Sequence, residues 1–238
     1  MRLLLAALLS GALFLSLGSA AAQHHMPHAG DASMDADSPH QGPRGYHHSF
    51  SRADVWAKEF DDPSRDAWQK PDQVLDALNL DRTAIVADIG AGTGYFSLRI
   101  ARRVPEGKVF TIDIEPDMLR YLSQRARREH LDTIIPILAT EESANIPEPA
   151  DVILVVDTYH HIDDRVAYFT KLKKSLRPQG HLAIVDFKPD SPEGPPLEHR
   201  IPAEQVTQEL KAAGYSVVAV RSFLPRQYFL EFTASGSQ

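Results

Sequence analysis

The sequence predicts an α/β protein with a mostly parallel sheet that is covered by helices on both faces. Two observations predict this class. Short apolar runs rich in Val and Ile recur along residues 84–186, and longer helical patterns separate most of them. Strands that are apolar at nearly every position are typical of a parallel sheet that is buried on both sides. Repeated strand–helix units of this length therefore indicate a doubly covered sheet.

The predicted elements follow one another in a regular order. Strands are expected at residues 84–89, 108–113, 134–138, 152–156, 181–186, 216–222 and 228–233. Helices are expected at residues 95–103, 116–130, 164–176 and 203–213, the last of them ended by Gly214 as a C-cap. Residues 51–80 precede the first strand and read as a helical cap, with Pro71 suited to a first helical turn. We expect the main domain to span residues 81–234.

Residues 1–22 have the three parts of a secretory signal peptide, namely a basic start, an apolar middle and small residues up to Ala22. The alternative is an uncleaved anchor, but the apolar run is short for a membrane span. The chain has no cysteine, which excludes lipid attachment, disulfides and thiol chemistry. We expect an exported protein that starts at Gln23, is periplasmic in a Gram-negative host, and keeps no stable membrane anchor.

A polar leader occupies residues 23–50. Its composition predicts disorder, because it offers too little apolar surface to offset the entropy of ordering. It carries six of the eleven histidines: His24, His25, His28, His40, His47 and His48. Imidazoles at this density favour weak binding of Cu, Ni or Zn, whereas the simpler interpretation is a solvated leader. No metal site of fixed geometry is predicted.

The overall charge limits the classes of partner that we expect. The net charge is −7 with 24% charged residues, whereas broad binding to nucleic acid needs a positive face. We therefore expect a small-molecule partner and no nucleic acid.

The most informative motif is VADIGAGTGY at residues 86–95, an apolar run that ends in an acid and three alternating glycines. Without Cβ atoms, Gly90, Gly92 and Gly94 can take positive φ and let a ligand lie against the backbone. A strand that turns through glycines into a helix forms a cradle of nucleotide size. The third glycine comes too early for a dinucleotide fingerprint, and no lysine follows for a P-loop. A glycine turn that binds nothing remains an alternative.

The glycine motif resembles the first motif of the class I S-adenosylmethionine-dependent methyltransferases. Residues 109–119, 150–165 and 176–187 resemble later segments of that family, although Gln179 replaces a glycine of its usual pattern. The resemblance implies a Rossmann-like fold with an antiparallel finish at the carboxyl end, S-adenosylmethionine as cofactor, and a small-molecule acceptor. The cap and the YHHIDDR run resemble an exported bacterial group of predicted methyltransferases.

The same resemblance implies the cofactor contacts. Asp113, at the end of the second strand, is expected to accept both ribose hydroxyls; alternatively it caps the next helix. Asp88 is expected to reach the amides of the glycine loop, or to organise that turn without touching a ligand. Glu141 falls where the family contacts adenine, although the usual Gly-Asp-Ala is missing. The expected cofactor-binding set is Asp88, Gly90, Ala91, Gly92, Gly94, Asp113, Ile114 and Glu141.

The fourth strand delivers Asp157, His160 and His161 to the carboxyl edge of the sheet, where α/β folds bind ligands. Methyl transfer to oxygen or nitrogen requires the removal of a proton, and imidazole is suited to that task near neutral pH. We predict that these three residues are catalytic. Alternatively, the histidine pair simply begins a helix, and a metal-assisted role lacks the rest of a ligand set. Substrate contacts are expected from Trp68, Tyr159, His199 and Arg200.

These observations predict a methyltransferase that acts on an unidentified small molecule. Export argues against it, because the cofactor is made in the cytosol. The alternative is therefore an exported protein that keeps the fold without catalysis and binds a metal or a nucleoside-like ligand. A nicotinamide-dependent oxidoreductase is disfavoured by the glycine spacing.

Overall fold

A seven-stranded sheet forms the centre of residues 50–236, the part of the chain that the computed structural model describes. The predicted signal peptide and nearly all of the predicted leader lie outside the described residues. The strands are β1 (Ile85–Ile89), β2 (Lys108–Asp113), β3 (Ile134–Leu138), β4 (Ala150–Val156), β5 (Leu176–Phe187), β6 (Tyr215–Arg221) and β7 (Gln227–Ala234). Their order is β3-β2-β1-β4-β5-β7-β6, and β7 alone runs in the direction opposite to the other six strands. The predicted fold class is confirmed.

Seven α-helices accompany the sheet in this part of the chain. They are α1 (Ala53–Phe60), α2 (Arg65–Gln69), α3 (Pro71–Ala77), α4 (Ser97–Arg103), α5 (Pro116–Arg128), α6 (Arg165–Leu172) and α7 (Ala203–Ala212). Short 3-10 turns cover Tyr159–His161, Lys173–Ser175 and Leu197–His199. Helix α2 was not predicted, because five residues are too few to show a helical period.

Two apolar cores lie on opposite faces of the sheet. On one face, side chains of β4, β5 and β7 pack against α6 and α7, with Phe169, Val206 and Leu210 fully buried. On the other face, the sheet packs against α3 and α4 around Leu75 and Ile100. Each buried aliphatic side chain stabilises the fold by about 1.5–3 kcal/mol. Because successive residues of a strand alternate between these faces, the cores also determine the face on which each polar residue at the strand ends lies.

The fifth strand begins earlier than residue 181, where the sequence predicts its start. β5 already begins at Leu176, and its register against β4 shifts between Ala150 and Val152. A Cβ on Gly180 would lie 2.9 Å from the carbonyl oxygens of both Ala150 and Asp151. Glycine is therefore needed here because the two backbones approach closely.

The carboxyl ends of β1, β2, β4 and β5 meet at one edge of the sheet, since these strands are parallel. β7 is antiparallel, so its first residues reach the same edge. This edge, which we call the carboxyl edge, brings together residues that are far apart in sequence. No helix within residues 50–236 is long and apolar enough to cross a membrane.

Candidate functional site

The glycine turn after β1 is held in one conformation. Gly90, Gly92 and Gly94 have φ of 74°, 52° and 93°, a region that glycine enters without a steric penalty. The amides of Gly90 and Ala91 donate to the carbonyl of Ile112 at 2.8 and 3.0 Å. A Cβ on Gly94 would lie 2.9 Å from Leu122, so this glycine packs against α5.

Gly92 faces a different environment. The nearest atoms to a Cβ at this position belong to the Phe60 ring of α1, at 3.6 and 3.8 Å. Its amide donates to Asp113 Oδ2 at 2.8 Å. The middle of the glycine turn therefore forms a backbone cradle between the end of β2 and the cap.

Asp113 connects this cradle to the next helix. Besides the Gly92 amide, the carboxylate accepts the amide of Glu115 at 2.9 Å. Burial raises the pKa of Asp113, and the two backbone amides lower it by less, so its pKa lies above the usual range. The bond to Glu115 lies within the turn that precedes α5, and it uses only part of the acceptor capacity of the carboxylate. The ribose contact stays a prediction.

Asp88 does not bond to the glycine-loop amides, contrary to the expectation. Its Oδ2 accepts the hydroxyl of Ser97 at 2.5 Å, at the start of α4. Asp88 is the fourth residue of β1 and points to the face that carries α4, whereas the loop amide of Gly92 turns toward β2. Burial raises the pKa of Asp88 to about 6 despite the Ser97 hydrogen bond. Asp88 therefore organises the strand–helix junction.

The cap places an aromatic cluster over the glycine turn. This cluster consists of Phe50, Trp56, Phe60 and His161, with ring centroids 5.1 to 5.7 Å apart. Asp61 fixes its position, because its carboxylate accepts the Thr93 hydroxyl at 3.0 Å and the Arg125 guanidinium at 2.7 Å. Arg125 also donates to the Thr93 carbonyl at 2.9 Å. The cap is thus bonded to the loop that it covers.

His160 and Asp186 form a buried pair on the face that carries α6 and α7. Nδ1 of His160 lies 2.9 Å from both carboxylate oxygens of Asp186. The His160 amide donates to the same carboxylate at 3.2 Å. Burial lowers the pKa of His160, but the charge of Asp186 and its hydrogen bond outweigh this effect, so the pKa is raised. Because an ionised carboxylate only accepts, Nδ1 carries the proton and Nε2 can act as a base.

Asp157 lies on the other side of the same edge. Its backbone is left-handed, with φ of 51°. Arg65 and Gln69 of α2 donate to Oδ2 at 3.0 and 2.9 Å, and Gln227 of β7 donates to Oδ1. Burial raises the pKa of Asp157 to about 6, with Arg65 opposing the shift. Among the predicted catalytic residues, His160 is buried at the edge, whereas Asp157 is half-buried there and His161 is half-buried in the aromatic cluster.

The predicted substrate contacts are dispersed. Tyr159 is fully buried, and its hydroxyl donates to Glu209 at 2.6 Å, so the structure places it in the core rather than in a pocket. Trp68 is half-buried, 5.8 Å from the ring of Phe187. Arg200 donates to carbonyls of its own loop, at 2.8 Å to Pro195 and 3.2 Å to Pro189.

The remaining predicted residues lie near the surface. His199 is half-buried in the loop between β5 and α7. Ile114 is 52% exposed beside Asp113. Glu141 is exposed in a tight turn after β3, where Thr140 pairs with Ser143. Ile114 is thus exposed next to the residue that bonds to the glycine turn, whereas Glu141 lies in an exposed turn after β3.

Sequence reasoning missed the partners of the central residues. Asp186 was recognised only as the end of a strand, although its position after the apolar run of β5 matches those of Asp113 and Asp157 on their strands. Arg65, Gln69 and Gln227 carry no local signal, because their roles depend on contacts across the fold. Within residues 50–236, no group of three acidic, histidine or cysteine residues is arranged to hold a metal ion.

Known proteins match this chain in sequence and structure. A family model described as a methyltransferase domain matches residues 80–223, which is more than half of the chain. The chain belongs to the class I S-adenosylmethionine-dependent methyltransferases. A solved structure of an S-adenosylmethionine-dependent methyltransferase from Aquifex aeolicus is 27% identical, with a TM-score of 0.70, and the match covers 75% of this chain and 96% of that one.

Two relatives in this methyltransferase family are named for oxygen acceptors. A malonyl-[acyl-carrier protein] O-methyltransferase of Acetivibrio thermocellus is 29% identical over 55% of this chain and 46% of its own length. An erythromycin 3''-O-methyltransferase of Saccharopolyspora erythraea is 26% identical over 63% of this chain and 56% of its own length. The chain thus spans about half the length of these relatives.

The cofactor of the family fits the residues at the glycine turn. A cradle that a Cβ at Gly92 would partly fill lies beside Asp113, whose carboxylate keeps acceptor capacity for hydroxyl groups. The Phe60 ring closes the opposite side. Backbone, acid and aromatic ring are the groups that a nucleoside with a vicinal diol requires.

Proposed function

We propose that this chain transfers a methyl group from S-adenosylmethionine to an oxygen of a small-molecule acceptor, with His160 as the base. The buried hydrogen bond between His160 Nδ1 and Asp186 carries the proposal, because it leaves Nε2 of the same ring to take a proton. The names of the two O-methyltransferase relatives support an oxygen acceptor.

S-adenosylmethionine, when bound, supplies an electrophilic methyl group on a positively charged sulfur. The backbone at Gly90 and Gly92 would hold it together with Asp113, at the carboxyl ends of β1 and β2. The aromatic cluster would cover this cradle and exclude water. Exclusion of water favours transfer to the acceptor over side reactions.

His160 has the partner that a general base needs. Asp186 fixes the tautomer and stabilises the imidazolium that forms when Nε2 takes the proton. Asp157 already accepts three side-chain donors, so we assign it an electrostatic role rather than proton transfer. This division of roles follows from the bonds that each carboxylate already makes.

Titration calorimetry with S-adenosylmethionine and S-adenosylhomocysteine tests the cofactor half of the proposal. We expect both to bind, and Asp113→Asn to weaken the binding about tenfold because one charge-assisted acceptor is lost. Asp117→Asn is the matched control, since Asp117 bonds to the Arg52 amide and to Arg120 at the surface. Absence of binding to the wild-type chain would contradict the proposal.

Turnover of acceptor compounds tests the catalytic half. His160→Gln should keep the affinity for S-adenosylhomocysteine and lose about 100-fold in kcat, which is the usual contribution of a positioned base. His130→Gln, at an exposed histidine after α5, is the control and should keep full activity. An equal loss of activity in both variants would refute the assignment of His160.

We further propose that the chain is exported and cleaved after Ala22. The three-part pattern of residues 1–22 supports this proposal. Expression in a Gram-negative host should yield a periplasmic protein whose intact mass is that of a chain starting at Gln23. A cytosolic protein that retains residues 1–22 would contradict export and would remove the conflict with the cytosolic supply of the cofactor.

A further inference from the structure

Tyr228 carries a buried hydroxyl group that nothing in the described part of the chain satisfies. The residue is 6% exposed, and its Oη has no hydrogen-bond partner within residues 50–236. The two other unpaired buried side-chain atoms found there are Thr133 Oγ1 and His181 Nε2, which lie toward the opposite edge of the sheet. Tyr228 therefore differs from them, because it lies at the carboxyl edge.

The position of Tyr228 is set by strand pairing. It lies directly opposite Asp186 in the antiparallel ladder of β5 and β7. Residues opposite each other in such a ladder project to the same face, with Cβ atoms about 4.5–5.5 Å apart. On that face the sheet packs against α6 and α7, and Tyr228 belongs to the apolar core formed there. Asp186 thus has Tyr228 opposite it in the ladder and His160 hydrogen-bonded to its carboxylate.

An unsatisfied buried hydroxyl is costly. Leaving a buried donor without a partner costs about 1–3 kcal/mol, whereas a phenylalanine of the same shape avoids that cost. A tyrosine at this position is therefore unfavourable for folding alone. It becomes favourable when a bound molecule accepts its hydrogen bond.

The charges around Tyr228 limit what that molecule can be. Burial raises the pKa of Tyr228 well above its usual range, and the carboxylates of Asp186, Asp157 and Glu209 add to the shift, so the phenol is a donor. The arginines nearest to these acids are already paired, Arg65 with Asp157 and Arg165 with Glu209. An anionic acceptor would be repelled here, because no unpaired cation offsets the carboxylates in the described structure.

We propose that the acceptor is the hydroxyl group of an uncharged molecule, bound between Tyr228 Oη and His160 Nε2. This inference rests on the proposed function and names the substrate class of the same site. A hydroxyl group both donates, to Nε2, and accepts, from Tyr228. An ionised carboxylate has no proton to donate, and an ammonium has no lone pair with which to accept or attack.

The reaction transfers the methyl group to the acceptor oxygen and the hydroxyl proton to His160. A lone pair of the acceptor oxygen forms the new bond to the methyl carbon, and the methyl–sulfur bond breaks with its electron pair left on sulfur. The hydroxyl proton passes to His160 Nε2, where Asp186 stabilises the imidazolium. Tyr228 donates to the oxygen while negative charge develops on it, which is the electrostatic role of an oxyanion donor.

Tyr228→Phe tests the assignment through stability and activity together. We expect an unchanged or higher Tm, because the variant removes an unsatisfied hydroxyl. We also expect an unchanged affinity for S-adenosylhomocysteine and a loss of at least tenfold in kcat/KM. Tyr215→Phe is the matched control, since the Tyr215 hydroxyl donates to the Phe169 carbonyl at 3.0 Å. That variant should lower the Tm by a few degrees and keep the activity.

The acceptor class is tested with the wild-type chain and a panel of compounds that share one carbon skeleton and carry a hydroxyl, amine, thiol or carboxylate group. S-adenosylhomocysteine should form with the hydroxyl compounds and not with the amine, thiol or carboxylate compounds. The inference is overturned if only the amine, thiol or carboxylate compounds are turned over, or if none of the compounds is. It is also overturned if Tyr228→Phe has the same kcat/KM as the wild type, or if its Tm falls as far as that of Tyr215→Phe. Failure of S-adenosylmethionine to bind at all would instead refute the proposed function beneath it.

Discussion

Arg65 donates from Nη2 to Asp157 Oδ2 at 3.0 Å and so joins the cap to the end of β4. The two residues are 92 positions apart in sequence. Arg65 also donates to the Phe60 carbonyl at 2.8 Å and lies over the Tyr95 ring at 4.2 Å. One guanidinium therefore contacts the aromatic cluster, the helix start after the glycine turn and the acidic group at the carboxyl edge.

Loss of this guanidinium should destabilise the fold. The side chains of Arg65 and Asp157 are only 15% and 19% exposed, and removing one partner of this largely buried pair leaves the other charge uncompensated. We expect Arg65→Met to lower the free energy of unfolding by about 3 kcal/mol in urea titrations.

Arg99→Met provides the comparison. Arg99 lies over the same Tyr95 ring at 4.1 Å, but it pairs with Asp66, which is 51% exposed. The expected loss in this variant is below about 1 kcal/mol. Equal losses in the two variants would show that the ring contact, and not the pair with Asp157, determines the stability.

The pH dependence of activity should follow His160. The base must be neutral to take a proton, and its pKa is raised by Asp186 above the usual value despite burial. Activity should therefore rise with pH, and the midpoint of the acid limb should lie above that of an ordinary histidine. Initial rates measured with a hydroxyl acceptor between pH 5 and 9 give this midpoint.

Asp186→Asn should move that midpoint to lower pH, because the carboxylate charge that stabilises the imidazolium is removed. The plateau rate should fall by about 100-fold, since an amide can donate to Nδ1 and so no longer fixes the tautomer that leaves Nε2 as the base. An unchanged midpoint in this variant would assign the acid limb to another group.

Gly90 should not tolerate a side chain. Its φ is 74°, and a Cβ would lie 2.0 Å from Thr158 Oγ1, which is itself held by the Val156 carbonyl at 2.8 Å. Both backbone strain and steric overlap follow, so Gly90→Ala should cost about 3 kcal/mol in thermal or urea unfolding.

Gly214→Ala separates the effect of backbone strain from that of steric overlap. Gly214 has a φ of 88°, but the nearest atom to its Cβ is Nζ of Lys173, the end of a flexible side chain that can move. Only the conformational cost of about 1 kcal/mol should remain. A loss as large as that of Gly90→Ala would show that strain alone accounts for the effect.

Asp88 should make the stability depend on pH. Its folded-state pKa is about 6 against an unfolded value of 3.8, so the folded state holds the proton more strongly. This contribution is present below the unfolded pKa and is lost as the pH rises through about 6. Asp88→Asn does not titrate, so its stability relative to wild type should rise by about 2–3 kcal/mol between pH 4 and 7.

Ser97→Ala gives an independent check of the same group. The Ser97 hydroxyl is the donor that lowers the pKa of Asp88. Removing it should move the pH-dependent loss of stability to a higher pH. A difference between Asp88→Asn and wild type that stays constant with pH would contradict a buried, titrating Asp88.

The order of the strands and helices was predictable because their signals are local. The apolar run of β1, the glycines after it and the acid that ends β2 lie within 29 residues, and the signal of each depends on its neighbours in sequence. The family resemblance followed from the same local patterns, and so did the expectation that Asp113 ends the second strand. In the structure Asp113 is the last residue of β2, and it accepts the Gly92 amide at 2.8 Å.

The fold class and the family were predictable from the sequence and are confirmed, and the sequence also predicts that the site lies at the carboxyl edge. The contacts between distant residues were not predictable: Asp186 bonds to His160, Arg65 and Gln227 donate to Asp157, and Tyr228 lies opposite Asp186. Strand periodicity assigns a residue to a face, but contacts between distant elements depend on how the whole sheet and its cap pack. That packing is a collective property of the chain, and no local pattern encodes it.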